Sequence, residues 1–161
     1  MIGVIFVCLG NICRSPMAEA VFKRLAEEEG VIGSLNVSSF ATSDCEVGNP
    51  IYPPAQRKLK SEGYNFTHRS QQLTLADVKN ADYVLVMDSM NYADVCRLAG
   101  SSYADKVFKL GSFLPDCIDI ADPWYSGDFD RAYSEIYSAC KVFLKYLRTK
   151  HEKAFKYDGN A

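Results

Sequence analysis

The chain alternates short, continuously apolar segments with longer segments in which apolar residues recur every three to four positions. The first apolar segment, residues 2–7, has the uninterrupted hydrophobicity of a strand that is buried on both faces of a parallel sheet. Residues 83–87 have the same character. Weaker strand patterns cover residues 37–42 and 107–110. These four segments predict the strands of one sheet.

Segments with helical periodicity separate and follow these strands. They predict helices at residues 16–29, 54–63, 91–99 and 128–148. Glycines at the ends of the first two are typical helix stop signals. Apolar residues at helical spacing place one face of the last helix in the core: Phe129, Ala132, Ile136, Cys140, Phe143, Leu144 and Leu147.

Strands that alternate with helices indicate right-handed crossovers and a parallel sheet. The sequence therefore predicts a doubly wound α/β fold, a three-layer sandwich in which helices flank the sheet. We expect one domain over residues 1–150 and a polar C-terminal tail over residues 151–161. Ligands of such folds bind at the carboxyl ends of the strands, where Cys8 and Asp88 lie.

Composition narrows the possible functions. The 161 residues suffice for one domain with a real core, and 48% hydrophobic and 24% charged residues are ordinary globular usage. A net charge of −2 gives no basic excess for binding nucleic acid, and no apolar run is long enough to span a membrane. Residues 2–9 lack a preceding basic region and a cleavage site, so we expect a cytoplasmic protein.

The six cysteines are irregularly spaced and form no Cys-x-x-Cys pair. A chain of this size does not need a disulfide framework, so we expect reduced thiols. Together with only two histidines, this pattern predicts no metal site and no cofactor.

The strongest chemical signal joins the first strand to the first helix: Cys8-Leu9-Gly10-Asn11-Ile12-Cys13-Arg14, followed by Ser15-Pro16. Ser15 is suited to be the N-cap and Pro16 to be the first helical residue. Gly10 and Asn11 tolerate left-handed backbone angles, which turn successive amides inward. The segment therefore predicts an anion-binding nest at a helix N-terminus.

This nest gives Cys8 and Arg14 defined chemical roles. Amide donors, the helix dipole and Arg14 stabilise a thiolate at Cys8 relative to the thiol, and they favour a phosphate dianion in the same hollow. Arg14 adds a planar fork that grips two phosphate oxygens. An isolated cysteine at the end of a strand is usually a small buried hydrophobe, but the combination with Arg14 favours a nucleophile.

Together with Asp122-Pro123-Trp124-Tyr125, this segment resembles the low-molecular-weight protein tyrosine phosphatases. The resemblance covers nearly the whole chain, through Thr42-Ser43-Asp44, the region around His68, and Met87-Asp88. It implies a sheet order of 2-1-3-4 and a cysteine-dependent protein-tyrosine-phosphatase. The implied partners are phosphotyrosine-containing proteins, with inorganic phosphate as product, and the implied assembly is a monomer or weak dimer.

The resemblance also implies a role for individual residues. Cys8 is the nucleophile, Arg14 stabilises the transferring phosphoryl group, and Asp122 is the general acid that protonates the leaving group. Ser39, His68 and Asp88 support the loop. The residues expected at the substrate are Leu9, Gly10, Asn11, Ile12, Cys13, Ser15, Cys45, Trp124 and Tyr125.

Some positions depart from the family pattern or allow regulation. Cys45 stands where many relatives have a bulky pocket-wall residue, and Tyr52-Pro53-Pro54 replaces the common Asp-Pro-Arg element. Substrate preference is therefore open. A disulfide between Cys8 and Cys13 would reversibly silence the nucleophile.

Three alternatives remain. Arsenate reductases share the loop but use a closely spaced cysteine pair, whereas Cys96 and Cys117 are far apart in sequence. Protein arginine phosphatases typically have threonine where this chain has Ile12, whose bulk suits a flat ring. A non-catalytic phosphate-binding module would need neither a nucleophile nor an acid.

Overall fold

The computed structural model describes residues 1–155 and contains a four-stranded parallel sheet with the order β2-β1-β3-β4. The strands are β1 (Ile2–Cys8), β2 (Leu35–Ala41), β3 (Tyr83–Val86) and β4 (Val107–Lys109). The predicted strand order 2-1-3-4 is confirmed.

The helices are α1 (Arg14–Glu28), α2 (Pro53–Ser61), α3 (Leu75–Asn80), α4 (Ser89–Tyr103), α5 (Pro123–Ser126), α6 (Phe129–Lys150) and α7 (Glu152–Phe155). Short 3-10 turns lie at Ile32–Ser34, Ala104–Lys106 and Leu110–Phe113. The sequence pattern did not indicate α3, α5 or α7. Each of these helices has six residues or fewer, too few to establish an amphipathic period.

Side chains of β1 alternate between two hydrophobic clusters, because successive strand residues point to opposite faces of a sheet. On one face Phe6 packs edge-on against Phe22 of α1, with ring centroids 5.6 Å apart, and Phe22 lies 5.5 Å from Phe143 of α6. On the other face Val7 belongs to a cluster with Val95 of α4. Helices therefore cover both faces, and the predicted three-layer α/β architecture is confirmed.

The C-terminal end of the described chain is packed rather than solvated. Phe155 of α7 is buried and belongs to the same cluster as Phe143. Packing therefore continues past residue 150, where the sequence suggested that a polar tail begins. The remainder of that predicted tail, residues 156–161, lies outside the described residues.

Within residues 1–155, no helix combines the length and the apolar character needed to cross a membrane.

Candidate active site

The loop from Cys8 to Arg14 forms the floor of an open pocket of about 280 Å³ at the carboxyl end of β1. One wall is formed by Ser43, Cys45 and Glu46, and the facing wall by Asp122, Trp124 and Tyr125. The structure thus brings together the predicted nucleophile, arginine and acid, although Asp122 is more than a hundred residues from Cys8 and Arg14 in sequence. Ser43 and Glu46 were not predicted, since nothing local marks either as a wall residue.

The shape of the loop depends on Asn11, which has the left-handed φ of 56° and is fully buried. Its Nδ2 donates to Ser15 Oγ at 2.6 Å and to Ser39 Oγ at 3.1 Å. Its Oδ1 accepts from His68 Nε2 at 2.7 Å and from the Gln71 backbone N–H at 3.1 Å. Because Oδ1 can only accept, His68 Nε2 carries the proton.

Two expectations about the loop were wrong in detail. Gly10 does not have a positive φ. The space it leaves is instead taken by Glu46, whose Cγ would lie 3.3 Å from a Cβ at that position. Ser15 is not the N-cap, because α1 begins at Arg14 and its N-cap is Cys13, which makes no capping hydrogen bond through its side chain.

Ser15 lies behind the loop rather than among the residues that line the pocket. Its Oγ is 3.0 Å from Cys8 Sγ and 3.5 Å from the Phe40 carbonyl. Ser15 Oγ accepts a hydrogen from Asn11, and its own hydrogen has two acceptors within reach, the Phe40 carbonyl and the closer Cys8 sulfur. A thiolate can only accept, so the hydroxyl is the donor when Cys8 is charged. The buried Ser15 hydroxyl therefore contacts Cys8 and does not cap the helix.

Cys8 Sγ also receives the Asn11 backbone N–H at 3.3 Å. Two donors converge on one sulfur at the N-terminus of α1. Hydrogen bonds and a positive helix end favour the charged form of a thiol. This arrangement is suited to a thiolate that faces the pocket.

Arg14 is buried, and its guanidinium is held from one side. Nη1 donates to Asp88 Oδ2 at 2.8 Å and to the Ile120 carbonyl at 2.7 Å, while Nη2 lies 3.5 Å from Asp122 Oδ2. Burial alone would lower the pKa of Arg14, but the negative charges of Cys8, Asp88 and Asp122 raise it. The arginine is therefore a fixed cation at the pocket.

A buried polar network extends behind the loop to Glu19 of α1. Ser39 Oγ donates to Glu19 Oε1 at 2.7 Å, and His68 Nδ1 lies 3.8 Å from the same oxygen. Burial lowers the pKa of His68, while the charge of Glu19 opposes this effect. Sequence reasoning found Ser39 and His68 through the resemblance but missed Glu19. A charged residue within the apolar run Met17-Ala18-Glu19-Ala20-Val21 was the available signal.

Asp122 is the N-cap of α5, where its Oδ1 accepts the Trp124 backbone N–H at 3.0 Å. The aspartates that are close to Asp122 in sequence make other contacts. Asp128 caps α6, and Asp119 pairs with Lys109. Among the aspartates of this segment, Asp122 is the one that lines the pocket.

Aromatic rings form the wall beyond Asp122. The Trp124 ring lies 4.6 Å from that of Tyr52, which in turn stacks at 6.2 Å on Phe129 of α6. Tyr125 is 81% exposed at the rim. Tyr52 belongs to the segment that departs from the family pattern, and here it supports Trp124. On the opposite side Cys45 is exposed, and its short side chain contributes little to that wall.

Six cysteines are free, and three of them, Cys8, Cys13 and Cys45, line the pocket. Burial, together with the charges of Cys8 and Asp122, raises the pKa of Cys13 to about 12, so Cys13 is a thiol near neutral pH. Cys96 and Cys117 are not among the lining residues. No cluster of histidine, cysteine, aspartate and glutamate within residues 1–155 could hold a metal ion.

A cysteine on an amide-rich loop, a fixed arginine and an aspartate on a facing wall define a site of the cysteine-dependent phosphatase class. Comparison with known proteins agrees. The family model described as low molecular weight phosphotyrosine protein phosphatase matches residues 3–153. The chain belongs to this family.

Individual relatives are similar over most of their length. The low molecular weight phosphotyrosine protein phosphatase of Rattus norvegicus is 41% identical over 148 residues, which cover 89% of this chain and 94% of the relative. The crystal structure of YfkJ from Bacillus subtilis has a TM-score of 0.90 at 34% identity and covers 94% of this chain and 97% of its own. YwlE arginine phosphatase has a TM-score of 0.83 at 32% identity, with coverage of 94% and 99%.

Proposed function

We propose that this protein hydrolyses phosphotyrosine in proteins, and small aryl phosphates, through a phosphocysteine intermediate on Cys8. The observation that carries the proposal is the position of Cys8 Sγ, which receives hydrogen bonds from Ser15 and Asn11 in a pocket that Arg14 and Asp122 also line. A binding module would require neither a nucleophile nor an acid in this arrangement.

In the first step, the Cys8 thiolate attacks phosphorus and the bond between phosphorus and the phenolic oxygen breaks. The leaving oxygen takes a proton from the Asp122 carboxyl group. Charge on the equatorial oxygens is met by the loop amides and by Arg14. Since Arg14 Nη1 is already committed to Asp88 and Ile120, the N–H groups that can face two phosphate oxygens are those of Nε and Nη2, of which Nη2 also lies 3.5 Å from Asp122 Oδ2.

In the second step, water attacks phosphorus and the bond between sulfur and phosphorus breaks. The Asp122 carboxylate accepts a proton from the water, and inorganic phosphate forms. The departing Cys8 sulfur regains its negative charge, which the Ser15 hydroxyl at 3.0 Å stabilises. In both steps, Arg14 and the loop amides stabilise negative charge on the phosphoryl oxygens, and Asp122 donates or accepts the proton.

An aryl ester suits this pocket better than an alkyl ester. Ile12 of the loop lines the pocket, and Trp124 and Tyr125 line one wall with aromatic rings. A substrate ring that packs against an aromatic side chain of this wall gains about 0.5–1.5 kcal/mol beyond the burial of its area. The names of the relatives from rat and Bacillus subtilis refer to phosphotyrosine and tyrosine phosphatases, which supports this preference.

Phosphoarginine is the second candidate substrate. The similarity to YwlE arginine phosphatase, whose structure was determined for a cysteine-to-serine mutant with a phosphorylated active site serine, favours the same covalent chemistry on a different leaving group. Ile12 argues for the phenolic ester, because an apolar side chain offers no hydrogen bond to a guanidinium.

The proposal includes a cellular setting. We place the protein in the cytoplasm, acting on phosphoproteins as a monomer or weak dimer, because its six free thiols suit a reducing compartment. A Cys8–Cys13 disulfide is the proposed route of reversible inactivation.

The test compares the turnover of phosphotyrosine, phosphoarginine and phosphoserine peptides by the wild type, Cys8→Ser and Asp122→Asn. We expect turnover of the phosphotyrosine peptide, none with Cys8→Ser, and a slower first step with Asp122→Asn. Unchanged turnover by Cys8→Ser would overturn the mechanism. A faster reaction with phosphoarginine would transfer the assignment to the second candidate.

A further inference from the structure

The segment that carries Asp122, residues 117–122, is attached to the sheet just before the aspartate. The Ile120 backbone N–H donates to the Met87 carbonyl at 2.8 Å, and the Ile120 carbonyl accepts from Arg14 at 2.7 Å. The Ile120 side chain is fully buried. These contacts fix the backbone at Ile120, and we call residues 117–122 the acid loop.

A second attachment is made by the side chain of Asp119, which the reaction described above does not use. Asp119 Oδ2 accepts from the Ser89 backbone N–H at 3.1 Å and from Ser89 Oγ at 2.9 Å. Asp119 Oδ1 accepts from Lys109 Nζ at 2.9 Å. Burial alone would raise the pKa of Asp119, but these donors lower it, so the group is a carboxylate near neutral pH. We call the three residues the Asp119 clamp.

The clamp joins the acid loop to the same helix end that holds Arg14. Ser89 is the first residue of α4, and its N–H has no partner within the helix. The preceding residue, Asp88, is the N-cap of α4 and pairs with Arg14 at 2.8 Å. The N-terminus of α4 therefore contacts both the phosphate-binding arginine and the acid loop.

A close approach on the other side of the loop restricts its movement further. A Cβ at Gly111 would collide with the Ile118 carbonyl oxygen, so the loop backbone lies directly on the turn after β4. Movement of the acid loop away from α4 is thus opposed by the polar contacts of Asp119 together with the contacts of Ile120.

We propose that Asp119 is a positioning residue, which holds the acid loop on α4 so that Asp122 meets the oxygen of the leaving group. The inference rests on the proposed function, because it assigns Asp119 to the proton transfer in the first step. It predicts a defect in protonation of the leaving group and not in phosphate binding.

The dependence on the leaving group reports this defect. p-Nitrophenolate is a weak base and departs with little help from an acid, whereas phenolate needs its proton as the bond breaks. A displaced Asp122 therefore slows phenyl phosphate more than p-nitrophenyl phosphate. The readout is the ratio of kcat/KM for phenyl phosphate to kcat/KM for p-nitrophenyl phosphate.

The experiment measures this ratio for the wild type, Asp119→Asn and the matched control Asp116→Asn. Asp116 is an exposed aspartate that directly precedes the acid loop, and none of the hydrogen bonds or ion pairs of residues 1–155 involves its side chain. We expect Asp119→Asn to lower the ratio about tenfold, since misplacement of a reacting group by 1 Å costs up to about a hundredfold. We expect Asp116→Asn to keep the wild-type ratio.

Further variants separate positioning from a general loss of structure. Ser89→Ala and Lys109→Met each remove part of the clamp and should lower the ratio in the same direction, even if Asp119→Asn fails to fold. In an Asp122→Asn background, Asp119→Asn should leave the ratio unchanged, because no acid remains to be positioned.

Equal losses on both substrates, or a further fall of the ratio in the Asp122→Asn background, would overturn the role of Asp119. An unchanged ratio in Asp119→Asn, or in both partial variants, would do the same. These outcomes presuppose turnover by the wild type. Failure of the wild type to hydrolyse either ester would instead overturn the proposed function, and the inference with it.

Discussion

At the scale of single residues, Asn11 determines most directly whether the loop can hold its shape. Its side chain uses both donors and two acceptor positions while fully buried. We expect Asn11→Ala to lower the free energy of unfolding by about 2–4 kcal/mol, since buried partners lose their hydrogen bonds and alanine lacks the polar side chain that compensates for the left-handed backbone at this position. Urea denaturation measures this change.

Asn49→Ala is the matched control, because Asn49 is exposed and donates to Glu46 near the same pocket. We expect it to change the unfolding free energy by less than about 0.5 kcal/mol. Equal effects of the two variants would contradict the structural role assigned to Asn11.

Arg14 illustrates a role that depends on shape as well as charge. Lysine could supply the cation but not a fork that contacts Asp88, Ile120 and phosphate at once. We expect Arg14→Lys to lower kcat/KM for p-nitrophenyl phosphate about a hundredfold or more, in line with the loss of one donor that stabilises a transition state. Steady-state kinetics test this, with the exposed Arg131→Lys as a control that keeps wild-type activity.

The cysteines of the pocket should differ sharply in reactivity. Because its pKa is raised to about 12, Cys13 stays protonated near neutral pH, and the thiol is a poor nucleophile. We expect iodoacetamide to label Cys8 first and inorganic phosphate to protect it, while the exposed Cys117 reacts with or without phosphate. Peptide mass spectrometry of the folded protein measures the three rates. Labelling of Cys13 as fast as that of Cys8 would contradict the result.

At the scale of secondary-structure elements, α1, β2 and the segment that carries His68 are joined behind the loop by buried polar side chains. Glu19 of α1 accepts from Ser39 of β2 and faces His68. The link fixes the start of α1 relative to the sheet. Because buried polar groups are costly when unpaired, loss of one member affects the others.

The titration of His68 gives this network a dependence on pH. Burial lowers its pKa below the ordinary 6.5, so the unfolded chain binds the proton more readily than the folded protein. The contribution of neutral His68 is complete above the ordinary pKa, and stability falls as the pH drops below it. Urea denaturation over a pH series should show a weaker acid dependence for His68→Gln than for the wild type. A His151→Gln variant, which keeps His68, should retain the part of the acid dependence of stability that His68 causes.

The sequence predicted the elements whose signals are long or continuous. β1, β3, α1 and α6 have uninterrupted or strongly periodic apolar patterns, and the loop from Cys8 to Arg14 is one contiguous motif. The short helices were not predicted, although the sequence contains the two residues, Thr74 and Asp77, that form the capping box of α3. Ser43, Glu46 and the Ile120 carbonyl reach the site through tertiary packing, which no local pattern encodes. Glu19 left one local signal, a charge within an apolar run.

At the scale of the whole molecule, the fold positions the site by packing both faces of one sheet. The cluster that includes Phe6, Phe22 and Phe143 joins β1, α1 and α6. Phe155 of α7 belongs to the same cluster. We expect Phe155→Ala to lower the free energy of unfolding by about 3–5 kcal/mol, the cost of deleting a buried aromatic ring. Urea denaturation measures it.

Val142→Ala is the control for this substitution, because Val142 is a partly exposed apolar residue of α6. We expect it to cost less than about 0.5 kcal/mol. If Phe155→Ala were equally mild, α7 would not be part of the packed domain.

The most direct test of the account is detection of a phosphoryl group on Cys8. The Asp122→Asn variant is mixed with p-nitrophenyl phosphate, which needs little acid assistance to form the intermediate. Hydrolysis of the intermediate is slow in this variant, because the carboxylate that accepts a proton from water is absent. The protein is then denatured at alkaline pH for peptide mass spectrometry. We predict one phosphoryl group on the peptide that contains Cys8 and none in Cys8→Ala. A phosphoryl group on another residue, or turnover that persists in Cys8→Ala, would contradict the account.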